Sequence, residues 1–157
     1  MPDKNVLTVL INQAEFLDNF IRLNETWITH YFRLEEADRS LAGHPAKIIE
    51  DGGFIFTLLV NSEAVGVCAL FKDDDHTFQL ARMAVAQEHQ GKGYGDVLMS
   101  AAIGKLHEIK ARRVYLLSNT ILVQAISLYQ KHGFTTISEG QHPNYARCNI
   151  VMEKKLL

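Results

Sequence analysis

Gly91, Gly93 and Gly95 stand at alternate positions at the end of the segment Met83-Ala-Val-Ala-Gln-Glu-His-Gln-Gly-Lys-Gly-Tyr-Gly95. Glycine reaches positive φ at little cost and lets a ligand approach the backbone, so several N–H groups can converge on one point. The residues before this turn read as a strand and those after it as a helix. The start of a helix adds unpaired N–H donors and the positive end of its dipole. The chemistry this predicts is the binding of a phosphate or pyrophosphate. Two familiar phosphate loops do not fit. A Walker loop needs Ser or Thr after Gly-Lys, and Lys92 is followed by Gly93. A dinucleotide fingerprint counted from Gly91 needs a third glycine where Asp96 stands. The bland alternative is a helix-entry turn whose glycines serve packing.

Other residues could act on what the turn binds. Glu35, Glu36 and Asp38 cluster after a first helical stretch. Tyr145, Arg147 and Asn149 alternate, which on a strand puts them on one face. The guanidinium of Arg147 matches a carboxylate in a two-pronged bond, and a structural arginine is the equal alternative. His30 and His76 titrate near neutrality but read as surface residues. Cys68 and Cys148 are expected as reduced thiols, and no Cys/His spacing suggests a zinc site.

The elements that position these residues follow from periodicity. Val6–Ile11 reads as a strand. Phe16, Phe20, Leu23, Trp27 and Tyr31 form a helical stripe over residues 14–32. Trp27 and Tyr31 either wall a pocket or belong to the core. Helical pieces are expected at Ala37–Leu41 and Pro45–Glu50. Phe54–Val60, Val65–Phe71 and Phe78–Val85 read as an antiparallel meander. An amphipathic helix over 92–109 is followed by a strand at Val114–Leu117. A last helix carries Ala125, Leu128, Tyr129 and His132 and stops at Gly133. Phe134–Ile137 and Asn149–Lys154 are closing strands. The class is α+β in one domain over 1–157, with a parallel strand–helix–strand unit over 78–117.

Composition narrows the function. The hydrophobic share of 47% and charged share of 22% are those of an ordinary globular domain. A net charge of −2 argues against general nucleic-acid binding. No apolar run approaches the roughly 20 residues of a membrane span. The first residues, Met1-Pro-Asp-Lys-Asn, carry no export signal, so a cytoplasmic location is expected.

Gln90, Gly93 and Gly95 match Gln/Arg-x-x-Gly-x-Gly/Ala, and Ala125-Ile-Ser-Leu-Tyr129-Gln-Lys-His-Gly133-Phe134 matches Ala-x-x-Leu-Tyr-x-x-x-Gly-Phe. Both patterns, with Met83-Ala84-Val85 ahead of the turn and Asn119 between them, resemble the GCN5-related N-acetyltransferase (GNAT) family, closely over about residues 52–138. Leu23–Ile28, Gly52-Gly53 and Tyr145-x-Arg147 resemble a bacterial branch sometimes fused to a DNA-binding regulator. The resemblance implies a mainly antiparallel sheet of about seven strands with about four helices. It implies transfer of an acetyl group from acetyl-CoA to a small primary amine by direct attack. The backbone of Met83, Ala84 and Val85 and the Asn119 side chain would hold the pantetheine arm, with helix capping the alternative for Asn119. The backbone amides of Gly91, Lys92, Gly93, Tyr94 and Gly95 would hold the pyrophosphate, with the Gln90 side chain supporting the loop and the Lys92 side chain either adding charge near a phosphate or lying solvated on the surface. Tyr129 would protonate the departing thiolate, unless it is a core aromatic. Many relatives carry a glutamate where this chain has Gln79, so the role of base would pass to Glu35, Glu36 or Asp38 or to a water chain, with Glu35 the choice among them. Trp27, Tyr31, Tyr145 and Arg147 would border the acceptor. A homodimer is expected by analogy. The competing reading is a CoA-binding regulatory module without catalysis.

Overall fold

The computed structural model describes residues 5–156; Met1–Lys4, read above for an export signal, and Leu157 lie outside them. Seven strands form one mixed sheet in the order β1-β2-β3-β4-β5-β7-β6. They are β1 (Leu7–Ile11), β2 (Phe54–Val60), β3 (Glu63–Lys72), β4 (Thr77–Val85), β5 (Arg113–Ser118), β6 (Thr135–Glu139) and β7 (Ile150–Lys155). The helices are α1 (Leu17–Tyr31), α2 (Glu36–Gly43), α3 (Lys47–Glu50), α4 (Tyr94–Glu108) and α5 (Val123–Lys131), one more than the resemblance implied. β2, β3 and β4 form the expected antiparallel meander, and β1 adds to the free edge of β2, also antiparallel.

The α4 face of the sheet buries Phe56, Leu58, Leu70, Leu98 and Leu106, and the α1 face buries Phe20, Ile55, Val67 and Ala84. In α1 the buried residues are Phe20, Asn24 and Ile28. The helix is therefore rotated from the predicted stripe, and Tyr31 is 44% exposed.

Two irregularities in β4 make the site. β4 and β5 run parallel but pair only at Thr77–Arg113, Phe78–Val114 and Gln79–Tyr115, then separate. The second is a bulge opposite Val67–Ala69, where Arg82 takes φ +60°. Before it Phe78 and Leu80 face the α4 core; after it Met83 and Val85 do, and Ala84 faces α1. One extra residue thus reverses the alternation of the strand.

Residues 145–149 are not on a strand. β7 begins at Ile150, and the Cys148 N–H turns back to the Tyr145 carbonyl at 3.1 Å. The shared face read for Tyr145, Arg147 and Asn149 therefore does not exist. Cys68 is buried, Cys148 partly so, and both are free thiols.

Candidate active site

The gap between β4 and β5 opens on a cleft of about 540 Å³. Its walls are Met83–Val85, the glycine turn, the first turn of α4, the start of α5 and Tyr31. Gly91 and Gly93 take φ +77° and +81°, values that an L side chain rarely adopts. A Cβ at either position would have no neighbour within 4 Å, so the cradle is open. Gly93 caps α4 without a side-chain acceptor, leaving the first N–H groups of the helix unpaired. The left-handed Gly93 also explains why α4 starts at Tyr94 rather than at 92. A pyrophosphate fits this cradle in charge and in room.

The predicted members of this site divide. The Gln90 amide donates to the Val85 carbonyl at 3.1 Å and ties the turn to the strand end. Gly95 lies where a Cβ would come 3.2 Å from Leu128 Cδ2, so it serves the approach of α4 to α5. Tyr94 is 5% exposed and belongs to the α4-side core while also bordering the cleft. Lys92 is exposed and lies outside the cleft wall. The Ala86 N–H bonds across to Val65 at 2.8 Å. Alternation then turns the Val85 N–H, rather than that of Ala84, towards the cleft.

A second cavity, about 180 Å³, adjoins the first and lies beneath α1. Trp27, Met83, Leu122 and Tyr129 line both. Tyr145 and Arg147 border the second cavity, whereas Tyr31 borders only the cleft.

Tyr129 is fixed by the way α5 ends. Gly133, at φ +93°, donates to the Gln130 carbonyl at 3.0 Å, and Phe134 donates to the Tyr129 carbonyl at 3.0 Å. This is the paired bond pattern of a Schellman cap. The Phe134 ring packs against the Tyr129 ring at 6.1 Å. Burial, with the nearby Cys68 sulfur, pushes the phenol up to about 12. It therefore holds its proton throughout the physiological range.

Arg147 is engaged inside the protein. Its Nη1 and Nη2 each donate to Asp38 at 2.7 Å, and Nη1 also reaches Glu35 at 2.9 Å. Arg82, delivered by the bulge, pairs with Asp38 from the other side. Burial alone would raise the Asp38 carboxyl. The bonds from Arg147, the Glu35 backbone N–H and Arg82 hold it well below the usual carboxylate range. Of the two readings of Arg147, the fork is engaged as the structural one requires: its two-pronged partner is Asp38. The Glu35 carboxylate accepts from the same guanidinium, and it does not line the second cavity.

Asn119 is also committed within the chain. Its Nδ2 donates to the Arg147 carbonyl at 3.0 Å and its Oδ1 accepts from the Ile121 N–H at 3.0 Å. It latches the 145–149 turn onto the loop after β5, and Asn149 does the same from the other side through Thr120.

The sequence reading missed Arg82, Phe32, Cys148 and Asn24 as wall residues of the second cavity. Asn24, at i+4 and i−4 from Phe20 and Ile28, was the legible one: a polar residue on a buried helical face. Its Nδ2 donates to the Phe20 carbonyl at 2.9 Å.

Fold and site thus define a protein with an anion cradle at a break in the sheet and a smaller chamber beside it. The family model of the Acetyltransferase (GNAT) family matches residues 14–134, and the chain belongs to that family. An uncharacterized N-acetyltransferase, YvbK of Bacillus subtilis (strain 168), is 32% identical over 101 residues, 62% of this chain. The match spans 65% of that relative's length. A GNAT-family acetyltransferase from Staphylococcus aureus Mu50 superposes with a TM-score of 0.84 at 17% identity, covering 97% of this chain and all of the other. Spermidine N-acetyltransferase from Vibrio cholerae, solved with CoA and spermine, superposes at 0.76 and 20% identity, covering 96% and 95% of the two chains.

Proposed function

We propose that this chain is an acetyl-CoA-dependent N-acetyltransferase that passes the acetyl group directly to a primary amine. The observation that carries this reading is Tyr129 on the wall shared by the phosphate cradle and the smaller chamber. The turn Gln90–Gly95 and the start of α4 hold the pyrophosphate. The pantetheine arm lies along the open edge of β4, where the Val85 N–H polarises the thioester carbonyl. The amine nitrogen bonds to the carbonyl carbon as the carbon–sulfur bond breaks. Tyr129 gives its proton to the departing sulfur.

No carboxylate or imidazole lines the smaller chamber among the described residues, and Gln79 cannot take a proton. The charged groups that do line it are Arg82 and Arg147. Both are paired with Asp38 or Glu35, so no carboxylate among the described lining residues is left to hold an ammonium. The acceptor therefore reacts as the neutral amine, and its proton leaves to water.

The test is calorimetric binding of acetyl-CoA together with CoA release over a panel of primary amines. Acetyl-CoA should bind, and at least one amine class should release CoA. Gly93→Val should weaken binding tenfold or more while the circular dichroism stays that of a folded protein, because valine resists the φ of +81°. Binding without release for any amine would favour the regulatory module, for which the absence of a base in the chamber speaks. Normal binding by Gly93→Val would remove the turn from the site.

A further inference from the structure

A third cavity, about 300 Å³, lies on the far side of the Arg82–Asp38 pair. It shares Phe71, Arg82 and Tyr145 with the acceptor chamber. The two are neighbouring compartments divided by those three side chains. The remaining wall comes from α2, α3 and the end of β3. Among the described residues its charged lining is Lys47, Lys72 and Arg82 with Asp51, and His44 lines it as well. The chain as a whole carries −2, so this compartment runs against the sign of the molecule.

These cations are available to a ligand. Lys47 pairs with Asp51 at 3.1 Å and Lys72 with Asp75 at 3.0 Å, but the two carboxylates are 57% and 84% exposed. Exposed pairs of this kind contribute little and exchange readily. Arg82 gives Nη1 to Asp38, and its other nitrogens have no carboxylate partner among the described residues. Lys72 is also steered. A Cβ at Gly52, whose φ is +95°, would lie 2.8 Å from Lys72 Cδ, so the lysine stem runs directly over the bare glycine.

Building on the acetyl-transfer reading, we infer that the acceptor is an elongated primary amine with an anionic group at its far end. The amine sits beside Tyr129. A carboxylate or phosphate reaches past Arg82 and lies among Lys47, Lys72 and the unspent edge of the guanidinium. Charge-assisted hydrogen bonds of this type suit both oxyanions. A diamine would instead place its second ammonium among three cations.

The experiment compares ω-amino carboxylates, ω-aminoalkyl phosphates, diamines and simple alkylamines of matched length. In the wild type, kcat/KM for the anionic amines should exceed that for alkylamines at least tenfold, with diamines last. In Lys47→Glu/Lys72→Glu that preference should fall to near unity. The alkylamine rate and acetyl-CoA affinity should change less than twofold. The carboxylate and phosphate arms show which oxyanion the compartment takes. Wild-type preference for diamines or alkylamines, or an equal loss for all amines in the double variant, overturns the inference. Calorimetric titration of the CoA-bound protein with the same amines answers independently of turnover. Anionic amines that bind to the wild type, fail to bind to the double variant and release no CoA would sink the acetyl-transfer reading and keep this one. No difference in binding between the two proteins would sink this one alone.

Discussion

Tyr129 and Arg147 show how one residue's surroundings decide its chemistry. Both carry polar groups on the wall of the acceptor chamber. The guanidinium of Arg147 is bound to two carboxylates, whereas no hydrogen bond contributes to the shift of the Tyr129 phenol. Tyr129→Phe keeps the ring against Phe134 and removes the proposed acid. Its kcat should fall by about 10²–10⁴ with acetyl-CoA affinity unchanged, since a positioned acid is worth that much. Because the phenol is pushed up to about 12, it stays protonated well above neutrality. The wild-type rate should therefore show no alkaline decline from this group between pH 7 and about 10, where a free tyrosine would begin to ionise. With no carboxylate or imidazole among the described residues that line the chamber, kcat/KM should rise with pH along the acceptor's own pKa. A series of amines differing in pKa checks this: rising limbs that move with the amine support it, and a limb fixed across the series would reveal an enzyme base. The same raised phenol makes the folded state less favoured as pH rises from about 10 towards 12, because the unfolded chain loses that proton first.

At the scale of elements, Asp38 connects three pieces of chain that the sequence keeps far apart. It sits in α2, receives Arg82 from the bulge in β4 and Arg147 from the turn before β7. At 2% exposure it is a buried carboxylate between two guanidinium groups. Removing one partner of such a cluster leaves uncompensated charge, so Asp38→Asn should cost about 3–5 kcal/mol in chemical denaturation. The pH dependence has a definite sign. The folded carboxyl is held low, so the unfolded chain takes up the proton first on acidification. The wild type should keep the full contribution above about pH 4 and lose it progressively below. Asp38→Asn should flatten that acid decline, and an unchanged slope would show that another carboxylate carries it. Little of this cluster was legible in the sequence. A bulge adds one residue to a strand without altering its composition, and Arg82 is no glycine to announce φ +60°. The alternation of Tyr145, Arg147 and Asn149 imitates a strand, yet long-range bonds to α2 and to the β5–α5 loop fold that stretch into a turn. The glycine turn and the α5 cap were legible because their geometry is set within a few consecutive residues. The meander and its hydrophobic faces were legible for a similar reason.

For the whole molecule, the break between β4 and β5 has a consequence for dynamics. The strands from β1 to β4 pair along most of their length. The second half of the sheet, β5 to β7, joins them through three residue pairs at one end of β4. Within that half β5 and β7 keep Val114, Leu116, Ile150 and Met152 in the common core, but α5 and β6 are thinly covered. No residue of α5 is fully buried, and every residue of β6 is exposed. Segments with few buried contacts open at lower free energy than the rest of a domain. A cofactor seated in the cleft touches both sides, β4 and the glycine turn on one and α5 on the other, so it would clamp the two halves. A ligand at one hundred times its Kd stabilises the form that binds it by about 2.7 kcal/mol. Local openings that separate the halves should become rarer by up to about 100-fold, while openings confined to β1–β3 should change little. Hydrogen–deuterium exchange with and without acetyl-CoA measures this directly. Amides of β5, α5 and β7 should slow far more than those of β2 and β3, and Gly93→Val should abolish the difference. Equal slowing across all strands would mean that the molecule opens as one unit. Slowing confined to the glycine turn would mean that the ligand does not bridge the break.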